Sequence, residues 1–94
     1  MYNFEYFLEN AKKNILNNNL NEAKKNLQKA YLIKDDSPII NNLLGVLEEV
    51  QNNILQAQKY YRIALIFDAS YNPAKKNIER TLNFEYSKLG IDLG

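Results

Sequence analysis

The chain contains no cysteine and no histidine. Without cysteine it has no disulfide, no thiolate zinc site and no thiol nucleophile. Without histidine it lacks the commonest general base and the commonest transition-metal ligand. Glycine occurs only at Gly45, Gly90 and Gly94, so there is no glycine-rich phosphate loop. Neither sign of charge dominates: 12 basic residues face 11 acidic ones, a net of +1. That balance gives no electrostatic footprint for nucleic acid or an anionic membrane. Long hydrophobic runs are missing too. The richest, Leu43–Leu47, falls far short of the roughly 20 apolar residues of a membrane helix. The opening MYNFEYFLEN has two acids and no basic start, unlike a signal peptide. A cytoplasmic protein is expected, with no cofactor, no metal, and neither nucleic acid nor membrane as partner.

What the chain does have is helical periodicity. Hydrophobic residues make up 46% of its 94 positions, and they recur at helical spacing in five segments. The first spans about 3–16, with Phe4, Phe7, Leu8, Ala11 and Ile15 on one stripe. The second spans about 21–34, with Ala23, Leu27, Ala30 and Tyr31 inward. Ser37 and Pro38 are an N-cap and a first helical residue for the third, which runs to about Gln51. The fourth spans about 55–67. Asn72 and Pro73 are expected to cap and start the fifth, which carries Ala74, Ile78 and Leu82, with Phe84 or Tyr86 near its end. Gly90 marks its limit, and residues 90–94 are expected to fray. Asn17–Asn19 and Asn52–Asn53 supply turns, since asparagine tolerates left-handed dihedrals. No segment alternates with period two, so the fold is expected to be all-α, with short connections placing successive helices antiparallel.

The pattern repeats. LNEAKKNLQKAYLI from Leu20 is echoed 34 residues later by ILQAQKYYRIALIF from Ile54. Ala23 answers to Ala57, Leu27 to Tyr61 and Ala30 to Ala64. A period of 34 with two helices per unit is the mark of a helical solenoid. With Leu44-Gly45 on one helix and Ala57, Tyr61 and Ala64 on the next, the chain resembles the tetratricopeptide repeat family. It departs from that pattern at Asn41, Glu48 and Ala69, where the family has Trp, Tyr and Pro. The resemblance implies a short right-handed solenoid as one domain: a first repeat over about 3–36, a second over 37–70, a capping helix over 71–89 and a tail over 90–94.

It also implies a non-catalytic protein–protein interaction module, an adaptor or scaffold that binds a peptide or helix in a concave groove. By phase that groove takes Leu8, Lys12 and Ile15 from the first helix, Asn42, Val46 and Glu49 from the third, and Lys76, Arg80 and Asn83 from the fifth. Lys76 and Arg80 lie one turn apart and share a face that suits an acidic peptide. The alternative is self-assembly into a homo-oligomer, either through the aromatic cluster Tyr2, Phe4, Tyr6 and Phe7, because aromatics are enriched at interfaces, or through the exposed end of the solenoid. The lysine pairs are scattered over three helices among acids and read as solvated surface. Of the paired carboxylates, Glu48 and Glu49 diverge by about 100° around their helix, and Asp35-Asp36 suits a helix N-terminus. No constellation suggests an enzyme.

Overall fold

A computed structural model describes residues 2–94. Among them are five helices and no strand: α1 (Phe4–Leu16), α2 (Leu20–Ile33), α3 (Pro38–Val50), α4 (Ile54–Phe67) and α5 (Asn72–Thr81). None is long and apolar enough to cross a membrane. Helix α1 packs on α2 and α3 on α4 as neighbouring hairpins. Helices α2 and α4 then pack on α3 and α5, and α3 also touches α1 and α5. One face is therefore shared by α1, α3 and α5.

The 34-residue echo extends to the backbone. Helices α1 and α3 are 13 residues each and start 34 apart; α2 and α4 are 14 residues each and also start 34 apart. The turns inside the two hairpins use one device. The N–H of Asn18 bonds to the Ile15 carbonyl and that of Asn19 to Asn14; Asn52 bonds to Glu49 and Asn53 to Glu48. This is the paired-carbonyl ending that closes a helix through a left-handed residue. Asn18 (φ 59°) and Asn52 (φ 67°) are that residue. Most L-residues lose about 1–2 kcal/mol there, and asparagine and glycine lose less. Replacing Asn18 by alanine is therefore expected to lower stability by about 1 kcal/mol, whereas Asn18→Gly changes it little. Thermal melts of the two variants provide the check.

At the helix starts, the Asn3 side chain accepts from the Tyr6 N–H at 2.9 Å, and Ser37 Oγ accepts from the Ile39 N–H at 3.1 Å with Pro38 following. Helix α5 corrects the sequence expectation at both ends. Tyr71 occupies the cap position and Asn72 is already helical. The helix stops at Thr81, not near Gly90. Leu82 and Phe84 are exposed instead of buried, because no further helix stands beside α5 to receive them. Tyr31, expected inside, is also largely exposed.

The core is a continuous cluster from Leu8 and Ala11 through Leu27, Ile40, Leu43 and Val46 to Tyr61, Ala64 and Ala74. Small residues set the helix separations. A Cβ on Gly45 would lie 2.5 Å from Cε1 of Tyr61 and 2.6 Å from Cδ1. Real carbon contacts do not come that close, so α3 and α4 meet only because residue 45 has no side chain. In the first hairpin the equivalent positions hold Ala11 and Leu27, both fully buried. The larger residue on one helix faces the smaller on the other, and the two backbones stay alike.

Candidate functional site

Beyond α5 the chain turns back. Residues 82–94, the return segment, run along the face shared by α1, α3 and α5. The expected frayed tail is not found: Ile91 and Leu93 are half-buried against the core. Two turns guide the segment. The Leu89 N–H bonds to Ser87 Oγ at 3.0 Å, and Gly90 at φ 88° lets the Ile91 N–H reach the Lys88 carbonyl at 3.3 Å.

A clamp on the main chain lies at the centre of this face. The Asn77 side-chain amide donates to the Asp92 carbonyl at 2.8 Å and accepts from the Asp92 N–H at 2.9 Å. Asn42 donates to the same carbonyl at 3.0 Å, and Asn77 donates to Asn42 Oδ1 at 2.9 Å. Both asparagines are fully buried, so each amide must find partners within the protein. The peptide unit at Asp92 supplies them. At one end of the face Lys12 Nζ donates to the Gly94 carbonyl at 3.1 Å while paired with Glu9 at 3.3 Å. Lys76 lies 3.9 Å from the Asp92 carboxylate.

At the other end is a buried carboxylate. Glu49 is 0% exposed and accepts from Tyr61 Oη at 2.7 Å, Tyr86 Oη at 2.6 Å, Arg80 Nη2 at 2.8 Å and Arg80 Nη1. Burial pushes the Glu49 carboxyl up. The Arg80 guanidinium and the Tyr86 and Tyr61 hydroxyls outweigh that and hold it below the ordinary carboxylate range. The tyrosines respond in the opposite sense. Burial and the bond to Glu49 push Tyr86 up to about 12 and raise Tyr61 as well. Arg80 also donates to the Ser87 carbonyl at 3.1 Å and to Asn77 Oδ1 at 3.0 Å, linking the buried carboxylate to the clamp. Its Nε is buried without a partner.

The nine groove residues anticipated from the repeat phase divide accordingly. Lys12, Asn42, Glu49, Lys76 and Arg80 converge on the return segment. Arg80 serves chiefly to neutralise Glu49, so it is not the free cation its spacing from Lys76 suggested. Leu8, Ile15 and Val46 belong to the core. Asn83 is not on α5, which ends at Thr81, but at the start of the return segment itself, its side chain accepting from the Glu85 N–H. Asn77 and the segment itself escaped sequence reasoning. The signal for Asn77 was an amide on the buried stripe of Ala74 and Thr81.

In the aromatic cluster, Tyr2 and Tyr6 stack with ring centroids 4.6 Å apart, and Tyr6 meets Phe7 edge-on at 5.4 Å. Lys29 Nζ sits 5.7 Å from the centre of the Phe7 ring. Tyr2 and Tyr6 are exposed, whereas Phe4 and Phe7 are half-buried. A separate cleft of about 620 Å³ opens on the opposite side, between Lys24, Gln28 and Tyr31 of α2, Leu44 of α3 and Tyr60 of α4. Among the described residues no three metal-ligating side chains come together. No protein-family model, curated protein or solved structure matches the chain.

Proposed function

We propose that the chain is a tetratricopeptide-like interaction module, non-catalytic, that holds an extended peptide along the face of α1, α3 and α5. One observation carries the reading. Asn77 holds both the main-chain N–H and the carbonyl of residue 92, and Asn42 holds the same carbonyl, contacts that use no side chain of the residue held. Main-chain capture of this kind supplies affinity, and flanking contacts supply selectivity. Here the flanking contacts are the apolar seats of Ile91 and Leu93 and the two lysines, Lys12 and Lys76. The 34-residue spacing of like helices supports the family resemblance. A second reading, self-assembly through Tyr2, Tyr6 and Phe7, is favoured by the exposed ring stack.

Selection of a displayed random-peptide library against the full chain tests the groove. The expected result is a family of peptides whose binding falls about tenfold or more in Lys12→Glu/Lys76→Glu, as loss of a charge-assisted contact implies. The control, Lys24→Glu/Lys25→Glu on the outer face of α2, retains it. Peptides that bind all three proteins alike would refute the groove. Sedimentation that shifts with concentration, and no longer shifts in Tyr2→Ser/Tyr6→Ser, would favour self-assembly.

A further inference from the structure

We infer that the return segment is the groove's own occupant, and that it displays the chemistry of the partner that displaces it: an extended segment of the form aliphatic–Asp–aliphatic–Gly. This rests on the groove reading above and goes further by naming the ligand.

The four positions are specified separately. Ile91 and Leu93 both pack against the core, on either side of Asp92. Asp92 points the other way, toward Lys76 at 3.9 Å, and its Oδ1 accepts from the Gly94 N–H at 2.9 Å. Its main chain is held by Asn77 and Asn42. At Gly94 the backbone conformation disfavours any L side chain, and a Cβ there would require the Tyr71 hydroxyl to move. The φ is 92°, and a Cβ would fall 2.5 Å from the Tyr71 hydroxyl. An aliphatic residue, an acid, a second aliphatic residue and a glycine are thus each selected by a different contact.

The connection to α5 suits release. Phe84 is fully exposed and Leu89 is 86% exposed, so the stretch between them is held by the polar contacts of Tyr86 to Glu49 and of Ser87 to Arg80 rather than by apolar burial. The tether presents the segment to its own groove at an effective concentration on the order of millimolar. A free ligand of equal quality must therefore compete with it. The apparent affinity falls in proportion to the fraction of molecules with an open groove.

The test uses the full chain and a fluorescein-labelled nonapeptide copying residues 86–94. Ile91→Ser/Leu93→Ser unseats the attached segment without altering the helices, whose retention circular dichroism verifies. Fluorescence anisotropy is expected to give binding at least about tenfold tighter for this variant than for the wild type. A nonapeptide carrying lysine in place of Asp92, or alanine in place of Gly94, is expected to lose that binding. A folded variant that binds the nonapeptide no better than the wild type overturns the inference.

Should the variant fail to fold, the wild type decides. Under excess unlabelled nonapeptide, the amide signals of Asp92 and Gly94 are expected to move while those of α1–α4 persist. Signals unmoved at millimolar peptide refute displacement. Library-selected peptides separate the two levels. If the opened variant binds peptides lacking the pattern but not the nonapeptide, the groove stands and this ligand assignment falls. If it binds neither, both fall.

Discussion

Arg80→Met is expected to destabilise the chain by about 3–5 kcal/mol, the cost of leaving one partner of a buried ion pair alone. A domain of this size has about 5–14 kcal/mol in total, so the loss is a large share of the whole. The effect has a pH signature that simple loss of packing lacks. In the wild type the folded Glu49 value lies below its unfolded value of about 4.3. Its contribution is present above that unfolded value and disappears as pH falls through the folded one. With methionine at position 80 the guanidinium is gone and burial dominates, so the folded value rises above the unfolded one. The contribution is then present at acid pH and is lost as pH rises through the new folded value. Urea denaturation from about pH 2 to 8 should therefore show the wild type losing stability at the acid end, below about pH 4.3, and the variant losing it as pH rises above that value. Adding Glu49→Gln should recover part of the loss, because the amide oxygen still accepts from Tyr61 and Tyr86 and no buried charge remains. A double variant as unstable as the sum of its singles would show that the two residues act independently.

Gly45→Ala is expected to cost about 2 kcal/mol. The added methyl meets the Tyr61 ring at 2.5 Å, and overpacking of that kind costs about 1–3 kcal/mol. The ring has little freedom to retreat: it is fully buried and its hydroxyl is tied to Glu49 at 2.7 Å. That places the clash near the upper end of the range. Better helix propensity returns roughly 0.5–1 kcal/mol. The melting temperature should fall by about 10 °C. The first hairpin indicates the remedy, because Ala11 and Leu27 occupy the equivalent positions there. Gly45→Ala/Tyr61→Leu should be more stable than the two single costs predict, by about 1–2 kcal/mol of coupling. Strict additivity would mean that the methyl and the ring do not compete for one space.

Much of the helical architecture was legible because its signals are local. Ser37-Pro38 and the asparagine turns mark their boundaries within a residue or so, and the apolar stripes name most of the core. The end of α5 was misread for a physical reason. Leu82, Phe84 and Tyr86 continue an apolar rhythm past Thr81, but no neighbouring helix stands there to bury them. The return segment was invisible because its attachments join main-chain atoms to side-chain amides far away in sequence, and periodicity carries no such information. Glu49 lies on the face shared by α1, α3 and α5, but its burial does not follow from its spacing. Tyr61 entered only as a member of the repeat pattern, although a buried tyrosine hydroxyl requires a partner. A carboxylate one helix away was the natural candidate.

The contact from Lys12 to Gly94 spans 82 residues, whereas the hairpins close over turns of a few residues. Closing a long loop costs entropy before its contacts form, and chains rich in local contacts fold fast. The hairpins therefore assemble early, and the segment along the groove docks last. The face of α1, α3 and α5 is thus built before the segment that covers it settles in place.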